Sequence, residues 1–233
     1  MLKVSHNHSP FLRRPFSIYK SYPMDYPQKN NRGCLLILYK KVGKGTQKMA
    51  EFNKGRKVNI IGPLGNGFSF PPLPSSTNTI LIGGGVGIAS LYSLAEVLGS
   101  PNLFVFIGGK TKDDILCEKD FKKRNASKIF IATEDGSLGY QGTVIDLFLS
   151  QEKRFKTGAS QYIYSCGPVE MLKGLARVVN SKKVVCQASL EARMGCGFGA
   201  CWGCVVKTNH RKTPYQRVCK EGPVFNLKNI VWE

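Results

Sequence analysis

Four cysteines between residues 196 and 219 constrain this chain more than any other feature. Cys196, Cys201, Cys204 and Cys219 are spaced C-x4-C-x2-C-x14-C, and the first three follow the order of plant-type [2Fe–2S] sites, with the fourth ligand distant in sequence. Four thiolates serve such a cluster as two per iron. Gly195, Gly197, Gly199, Ala200 and Gly203 lie among the cysteines. Their small side chains let a loop turn tightly and aim its N–H groups at sulfur. A structural four-cysteine zinc site is the other chemistry open to this set, but it usually uses two separated knuckles rather than one glycine-rich loop. The remaining cysteines, Cys34, Cys117, Cys166 and Cys186, are scattered. That usage suits a reducing cytoplasm rather than a disulfide framework.

A second constraint is Thr79-Ile-Leu-Ile-Gly83-Gly84-Gly85-Val86-Gly87-Ile88, an apolar strand running into a glycine turn and then a helix. Bare backbone at such a turn lets a pyrophosphate approach the helix N-terminus. The third glycine of G-x-G-x-x-G is replaced by Ile88, so the letters fit a plain tight turn equally well. Further on, Tyr164-Ser165-Cys166-Gly167-Pro168 closes a strand, and Pro168 suits the helix start that follows. Cys166 would border a nicotinamide or would serve as a small buried hydrophobe.

Three textures divide the chain. Residues 1–72 carry short alternating runs (Cys34–Lys40, Lys57–Ile61) broken by Gly, Pro and Asn, the pattern of short antiparallel strands. Residues 73–185 alternate strands (Thr79–Ile82, Leu103–Ile107, Lys128–Ala132, Tyr162–Ser165) with helices (Ile88–Leu98, Cys117–Lys123, Thr143–Leu149, Val169–Val179), which predicts βαβ units and a mostly parallel sheet. Residues 186–233 are rich in Gly and Cys, as expected where a metal centre replaces a large core. Pro71-Pro72-Leu73-Pro74-Ser75-Ser76 reads as the first linker.

The chain has 34 Lys+Arg against 15 Asp+Glu, a net charge of +19. The basic residues are dispersed (Lys40, Lys41 and Lys44 early, Lys119 to Arg124 midway, Lys153 to Lys156 later) and no nucleic-acid motif accompanies them, so solvated faces or an acidic partner surface are expected. The N-terminus lacks an apolar signal core, and glycines and serines interrupt the longest apolar stretch, so neither export nor a membrane span is expected. None of His6, His8 and His210 is placed as a substrate base.

Taken in order, Arg14-Pro15-Phe16-Ser17, Gly43-Lys-Gly45-Thr46, Gly83–Gly87 and Cys166-Gly167-Pro168 resemble the ferredoxin–NADP reductase superfamily. Gly62-Pro-Leu-Gly65-Asn66-Gly67-Phe68, Ser189-Leu-Glu191-Ala-Arg193-Met194, the cluster loop and Val218-Cys219-Lys-Glu-Gly222-Pro223-Val-Phe225 narrow this. They resemble the electron-transfer subunits of class 1B dihydroorotate dehydrogenases, over the chain from about Leu12 onward. A related NAD(P)H:ferredoxin-type oxidoreductase or hydrogenase diaphorase subunit is the alternative.

The resemblance implies a β-barrel FAD domain (1–72), an α/β parallel-sheet NAD-binding domain (73–185) and a small [2Fe–2S] domain (186–233). Arg14 would hold the FAD pyrophosphate, as its planar fork suits phosphate. Pro15, Phe16 and Ser17 would line the flavin, Leu38-Tyr39-Lys40 would form the next FAD-contacting strand, and Gly45 and Thr46 would offer donors to phosphate. Gly83, Gly84, Gly85, Gly87, Cys166, Gly167 and Pro168 would seat the NAD. Lys110 is either a partner for a 2′-phosphate or a solvated cation. Trp202 is either an interface anchor or a cover over the cluster. The implied partner is an FMN-containing catalytic subunit that oxidises dihydroorotate, in a heterotetramer. Thirteen residues precede Arg14, room for about two strands, so a truncated barrel or a start further upstream is expected.

Overall fold

The computed structural model describes residues 1–4, 9–22, 33–72, 74, 76–98, 102–124, 128–155, 160–180, 182 and 184–232. His6, His8, Leu73, Ser75 and Lys156, named above, lie outside them. The first elements are short: β1 (Leu2–Lys3), β2 (Lys20–Tyr22), β3 (Cys34–Leu36), helix α1 (Lys44–Ala50) and β4 (Asn59–Ile60). Two antiparallel ladders, β1–β4 and β2–β3, stand where an incomplete barrel is expected. Leu38-Tyr39-Lys40 is not a strand. Its contacts are made by side chains instead: the Tyr39 ring meets Phe16 edge-on at 6.0 Å and Lys40 pairs with Asp114 at 2.9 Å. Gly45 and Thr46 lie in the first turn of α1.

The rest of the chain is built on one sheet. In chain order come β5 (Asn78–Gly84), α2 (Ile88–Leu98), β6 (Leu103–Gly109), α3 (Glu118–Lys123), β7 (Lys128–Thr133), β8 (Tyr140–Gln141), α4 (Val144–Ser150), β9 (Gln161–Cys166), α5 (Val169–Asn180), β10 (Val185–Ser189), β11 (Val205–Lys207), β12 (Tyr215–Arg217) and β13 (Val224–Asn226). Among the described residues seven strands pair in the order β13-β10-β9-β5-β6-β7-β8. All pairings are parallel except β13 on β10. The period-2 pattern explains the layers, since successive side chains leave a strand on opposite faces. Ile80, Ile82, Phe104 and Phe106 meet α4 and α5 on one face, while Leu81, Val105 and Ile107 meet α2 and Phe121 of α3 on the other. The expected strands and helices between residues 79 and 179 all form, with each end within two residues of its expected place.

Residue 185, the expected end of the NAD-binding segment, is the first residue of β10. The last strands of the sheet, β10 and β13, therefore come from the segment assigned to the cluster. Val218, Cys204, Cys219, Phe225 and Leu227 join the same apolar cluster as Ile80 and Phe106, so the cysteine region shares the sheet's core. Among the described residues no helix is long and apolar enough to cross a membrane.

Phe106 is fully buried and stacks on Phe130 at 4.7 Å, with Phe148 edge-on at 5.5 Å. Phe106→Ala leaves a cavity that these rings do not fill, and we expect it to lower stability by about 3–5 kcal/mol, read as a shift of the urea midpoint at unchanged slope.

Candidate functional site

The two motifs expected around the dinucleotide form one site. In the parallel pairing of β5 and β9, Gly83 stands opposite Cys166, which brings the glycine turn and the Cys166-Gly167-Pro168 turn level at the strands' C-terminal ends. Open α/β sheets bind ligands in this crevice. The contact is backbone to backbone: a Cβ on Gly87 would stand 2.6 Å from the Cys166 carbonyl oxygen and 2.8 Å from the Gly167 nitrogen. A Cβ on Gly84 would likewise stand 2.7 Å from Pro168 Cδ and 2.8 Å from Met171 Sδ. Gly85 has φ +52, and nothing lies within 4 Å of where its Cβ would be. That leaves bare backbone and open space at the start of α2, which fits a pyrophosphate. Cys166 is 2% exposed and burial pushes its thiol up to about 11, so it is a neutral group at the crevice floor. Lys110 is exposed and its N–H donates to Asp114 Oδ2 at 3.3 Å.

Among the expected flavin residues, Arg14 and Gly45 come together: a Cβ on Gly45 would lie 3.1 Å from Arg14 Nε. Arg14 is half-buried, paired with Leu2 through both backbone groups, and its Nη1 donates to the Leu12 carbonyl at 2.6 Å. The Thr46 hydroxyl is engaged within its own turn, donating to Gly43 O at 3.1 Å and accepting from Val42 N at 2.9 Å. Of the donors expected from Gly45 and Thr46, the N–H groups are therefore the better suited to phosphate. Pro15 and Ser17 are exposed beside the half-buried Phe16.

The four cysteines come two and two. The Cys201 and Ala200 N–H groups donate to Cys196 Sγ at 3.4 and 3.3 Å, and Cys219 N donates to Cys204 Sγ at 3.4 Å. Cys201 is exposed and Cys196 half-buried, whereas Cys204 and Cys219 are buried at 3% and 5% exposure. Backbone donors, Cys201 first and Phe198 next, bring the Cys196 thiol down to about 6, while burial and then Cys204 push Cys219 up to about 11. Among the described residues no three His, Cys, Asp or Glu side chains converge on a point suited to a single ion. Two thiol pairs with N–H groups aimed at sulfur fit a binuclear cluster, which takes two thiolates per iron. Arg217 braces the loop. Its Nη1 donates to Gly199 O at 2.6 Å, it pairs with Glu221, and it lies 4.2 Å from the centroid of the Trp202 ring. Trp202 itself remains 53% exposed at φ +56.

Asn66 gives the Gly62–Phe68 motif a role that its sequence did not announce. Its side-chain amide donates to the Lys220 and Glu221 carbonyls at 2.9 and 3.1 Å, next to Cys219. Gln187 of β10 pairs with Ser69 through both ends of its amide, at 2.9 and 2.7 Å. Asn66 lies in one of the motifs singled out from sequence, but its partners are 154 and 155 residues away.

The Gly87 approach supplies a test. Gly87→Ala forces the two turns apart, and NADH affinity should fall at least about tenfold, the effect of ~1.4 kcal/mol. Gly43→Ala, with open space around it, should leave NADH affinity unchanged in the same titration.

Comparison with known proteins agrees with this geometry. Residues 81–177 match the oxidoreductase NAD-binding domain, and residues 191–231 match the iron-sulfur cluster binding domain of dihydroorotate dehydrogenase B. The chain is 37% identical over 232 residues to the dihydroorotate dehydrogenase B (NAD(+)) electron transfer subunit of Geobacillus sp. (strain WCH70), covering 99% of this chain and 84% of that one. The subunit of the same description from Desulforamulus reducens is 39% identical over 236 residues, covering 100% and 85%. In a solved structure of NADH-dependent reduced ferredoxin-NADP oxidoreductase, one chain superposes with a TM-score of 0.76 at 28% identity, covering 95% of this chain and 75% of that one. A ferredoxin-NADP+ reductase from Plasmodium falciparum, at 16% identity and a TM-score of 0.52, shares the fold. With a parallel-sheet NAD-binding domain, a cysteine loop of matching pattern and relatives aligned over nearly its whole length, the chain belongs to the family of electron transfer subunits of dihydroorotate dehydrogenase B.

Proposed function

We propose that this chain carries electrons from an FMN-containing dihydroorotate dehydrogenase catalytic subunit to NAD in pyrimidine biosynthesis, through a [2Fe–2S] cluster and FAD. The observation that carries the reading is the shared core: Cys204 and Cys219 belong to the same buried cluster as Ile80, Ile82 and Ala188 of the sheet that holds the glycine turn. The cluster loop and the dinucleotide crevice are thereby fixed to one rigid body. A nicotinamide exchanges hydride, a [2Fe–2S] centre exchanges single electrons, and a flavin does both.

Each segment of the chain has its part. Cys196, Cys201, Cys204 and Cys219 would hold the [2Fe–2S] cluster, the first two from the solvent side of the loop and the last two from its buried side. Cluster loading would take the ligands as thiolates, and burial makes Cys219 hold its proton more tightly than Cys196 does. Gly83, Gly84, Gly85 and Gly87 present bare backbone and the α2 N-terminus to the dinucleotide pyrophosphate, while Cys166, Gly167 and Pro168 form the wall beside the nicotinamide. Arg14, with the Gly45 and Thr46 N–H groups, binds the FAD pyrophosphate. Pro15, Phe16, Ser17, Leu38, Tyr39 and Lys40 border the flavin. On this reading residues 1–72 serve FAD, 73–185 NAD and 186–233 the cluster. The chain works in the cytoplasm in a heterotetramer with its catalytic partner and binds no nucleic acid.

Anaerobically purified protein should contain about two irons and two acid-labile sulfides per chain. Serine at Cys196, Cys201, Cys204 or Cys219 should bleach the visible spectrum, whereas Cys34→Ser should not. Stoichiometric zinc without labile sulfide overturns the assignment. The chain alone should reduce ferricyanide with NADH and leave dihydroorotate unoxidised; dihydroorotate-dependent NAD reduction by the isolated chain overturns the division of roles.

A further inference from the structure

A polar cluster outside these sites joins the flavin segment to the α/β domain. The residues directly after Ser17 run over α2 and α3. The Ser93 hydroxyl of α2 lies 3.0 Å from the Ile18 carbonyl and 2.9 Å from that of Tyr19. The Tyr19 hydroxyl donates to Asp120 Oδ2 at 2.6 Å, and Lys20 Nζ donates to Asp120 Oδ1 at 2.8 Å. One carboxylate on α3 thus receives both side chains, one on each oxygen. The Lys20 ammonium also sits 4.8 and 4.6 Å from the centroids of the Tyr19 and Tyr92 rings, a cation–π arrangement. Tyr92 of α2 packs in turn on Tyr19 and on the buried Phe121, both at 5.3 Å. The Lys20 side chain is 14% exposed and that of Asp120 27%, so water screens the pair far less than it screens an open surface bridge.

We infer that Asp120 is a positioning residue for hydride exchange, acting through Tyr19 and Lys20 to fix the Arg14–Ser17 motif relative to the dinucleotide turn. This rests on the flavin and NAD sites proposed above. Helix α2 links the two sites. Its N-terminus is the pyrophosphate seat at Gly85–Gly87, and its middle, Tyr92 and Ser93, is where the chain emerging from the flavin motif is fastened. Hydride exchange requires donor and acceptor atoms about 3–3.5 Å apart, and a misplacement of an ångström costs on the order of 100-fold in rate. Removing the carboxylate takes the shared partner from the Tyr19 hydroxyl and the Lys20 ammonium, leaving Tyr19 held by Ser93 and the Tyr92 ring and Lys20 half-buried without its anion. The motif then gains freedom relative to α2 without losing any group that touches NADH.

The test uses the chain loaded with FAD and cluster, NADH as donor and ferricyanide as acceptor. Asp120→Ala should lower kcat by about 10- to 100-fold with the KM for NADH within about twofold, at full flavin and iron content. NADH deuterated at the transferred position should show a larger isotope effect than with wild type. Amide exchange over residues 17–22 should quicken, in the flavin-free chain as well. Lys20→Met, which keeps the stem over the rings, should give a smaller effect of the same kind and serves where Asp120→Ala folds poorly. Glu96→Gln breaks the Arg124 pair at 2.8 Å, which also joins α2 to the end of α3 but touches neither Tyr19 nor Lys20, and it should leave kcat unchanged. Unchanged kcat and isotope effect in both Asp120→Ala and Lys20→Met overturn the inference, as does loss of flavin in step with kcat, which marks a purely structural role. A wild-type chain that holds FAD yet takes no electrons from NADH overturns the proposed function itself.

Discussion

The parallel pairing of β5 with β9 sets the geometry from which the rest follows. It places Gly83 beside Cys166 and leaves so little room beyond the strand ends that a Cβ on Gly87 would overlap the Cys166 carbonyl. A buried hydrogen bond from Ser165 Oγ to Ile82 O, 2.9 Å long, ties the same two strands one residue earlier. With the turn fixed this way, α2 leaves in one direction only. Ile88 then packs against Gly83, and Leu91, Tyr92 and Leu94 reach the far face of the sheet. The dinucleotide crevice and the fastening point for the flavin segment are both consequences of that direction.

The cysteine segment depends on the same sheet from its other side. β10 extends it beyond β9 and β13 closes the edge in antiparallel pairing, while Leu190 N donates to Pro223 O at 2.8 Å to hold the start and end of the segment together. Val218, fully buried, and Cys219 then enter the apolar core. The loop is thus rigid where Cys204 and Cys219 lie and open to solvent at Cys201, Phe198 and Trp202. A cluster held by these cysteines would take two ligands from the buried side of the loop and two from the side open to solvent. Arg217, pairing with Glu221 and lying on Trp202, stiffens the outward side.

What the sequence made legible was set by local periodicity and covalent spacing. Thr79–Ile82, Leu103–Ile107 and Tyr162–Ser165 are apolar runs buried on both faces, and such runs between helical patterns leave little alternative to a parallel sheet. The cysteine spacing is equally local. The short ladders of residues 1–72 are only partly legible: β3 and β4 fall inside the alternating runs Cys34–Lys40 and Lys57–Ile61, whereas β1 and β2, of two and three residues, are too short for alternation to register. Helix α1, Lys44-Gly-Thr-Gln-Lys-Met-Ala50, shows only Gly45 buried, so no apolar stripe marks it. Asp120 and Asn66 were invisible for another reason: their partners lie 100 and more residues away. Nothing in a lone Asp or Asn distinguishes such a partner from water.

These two kinds of bonding give the domains different standing. The sheet and the cysteine segment are joined through buried apolar side chains, which resist opening because separation exposes area worth about 25 cal/mol per Å². Residues 1–72 are joined to the sheet by polar contacts, Asp120 with Tyr19 and Lys20, Ser93 with two carbonyls, Lys40 with Asp114 and Gln187 with Ser69, and by the rings of Tyr19 on Tyr92 and Phe68 on Tyr164. Of this segment's own apolar residues Leu2 and Val4 are buried, whereas Leu35, Val42 and Ile60 stay exposed. Regions with few buried apolar contacts occupy the low-stability end of a protein's local unfolding scale. The chain therefore holds its crevice and cluster loop as one firm unit. It keeps the flavin segment on directional bonds, which fix an orientation closely while adding little to overall stability.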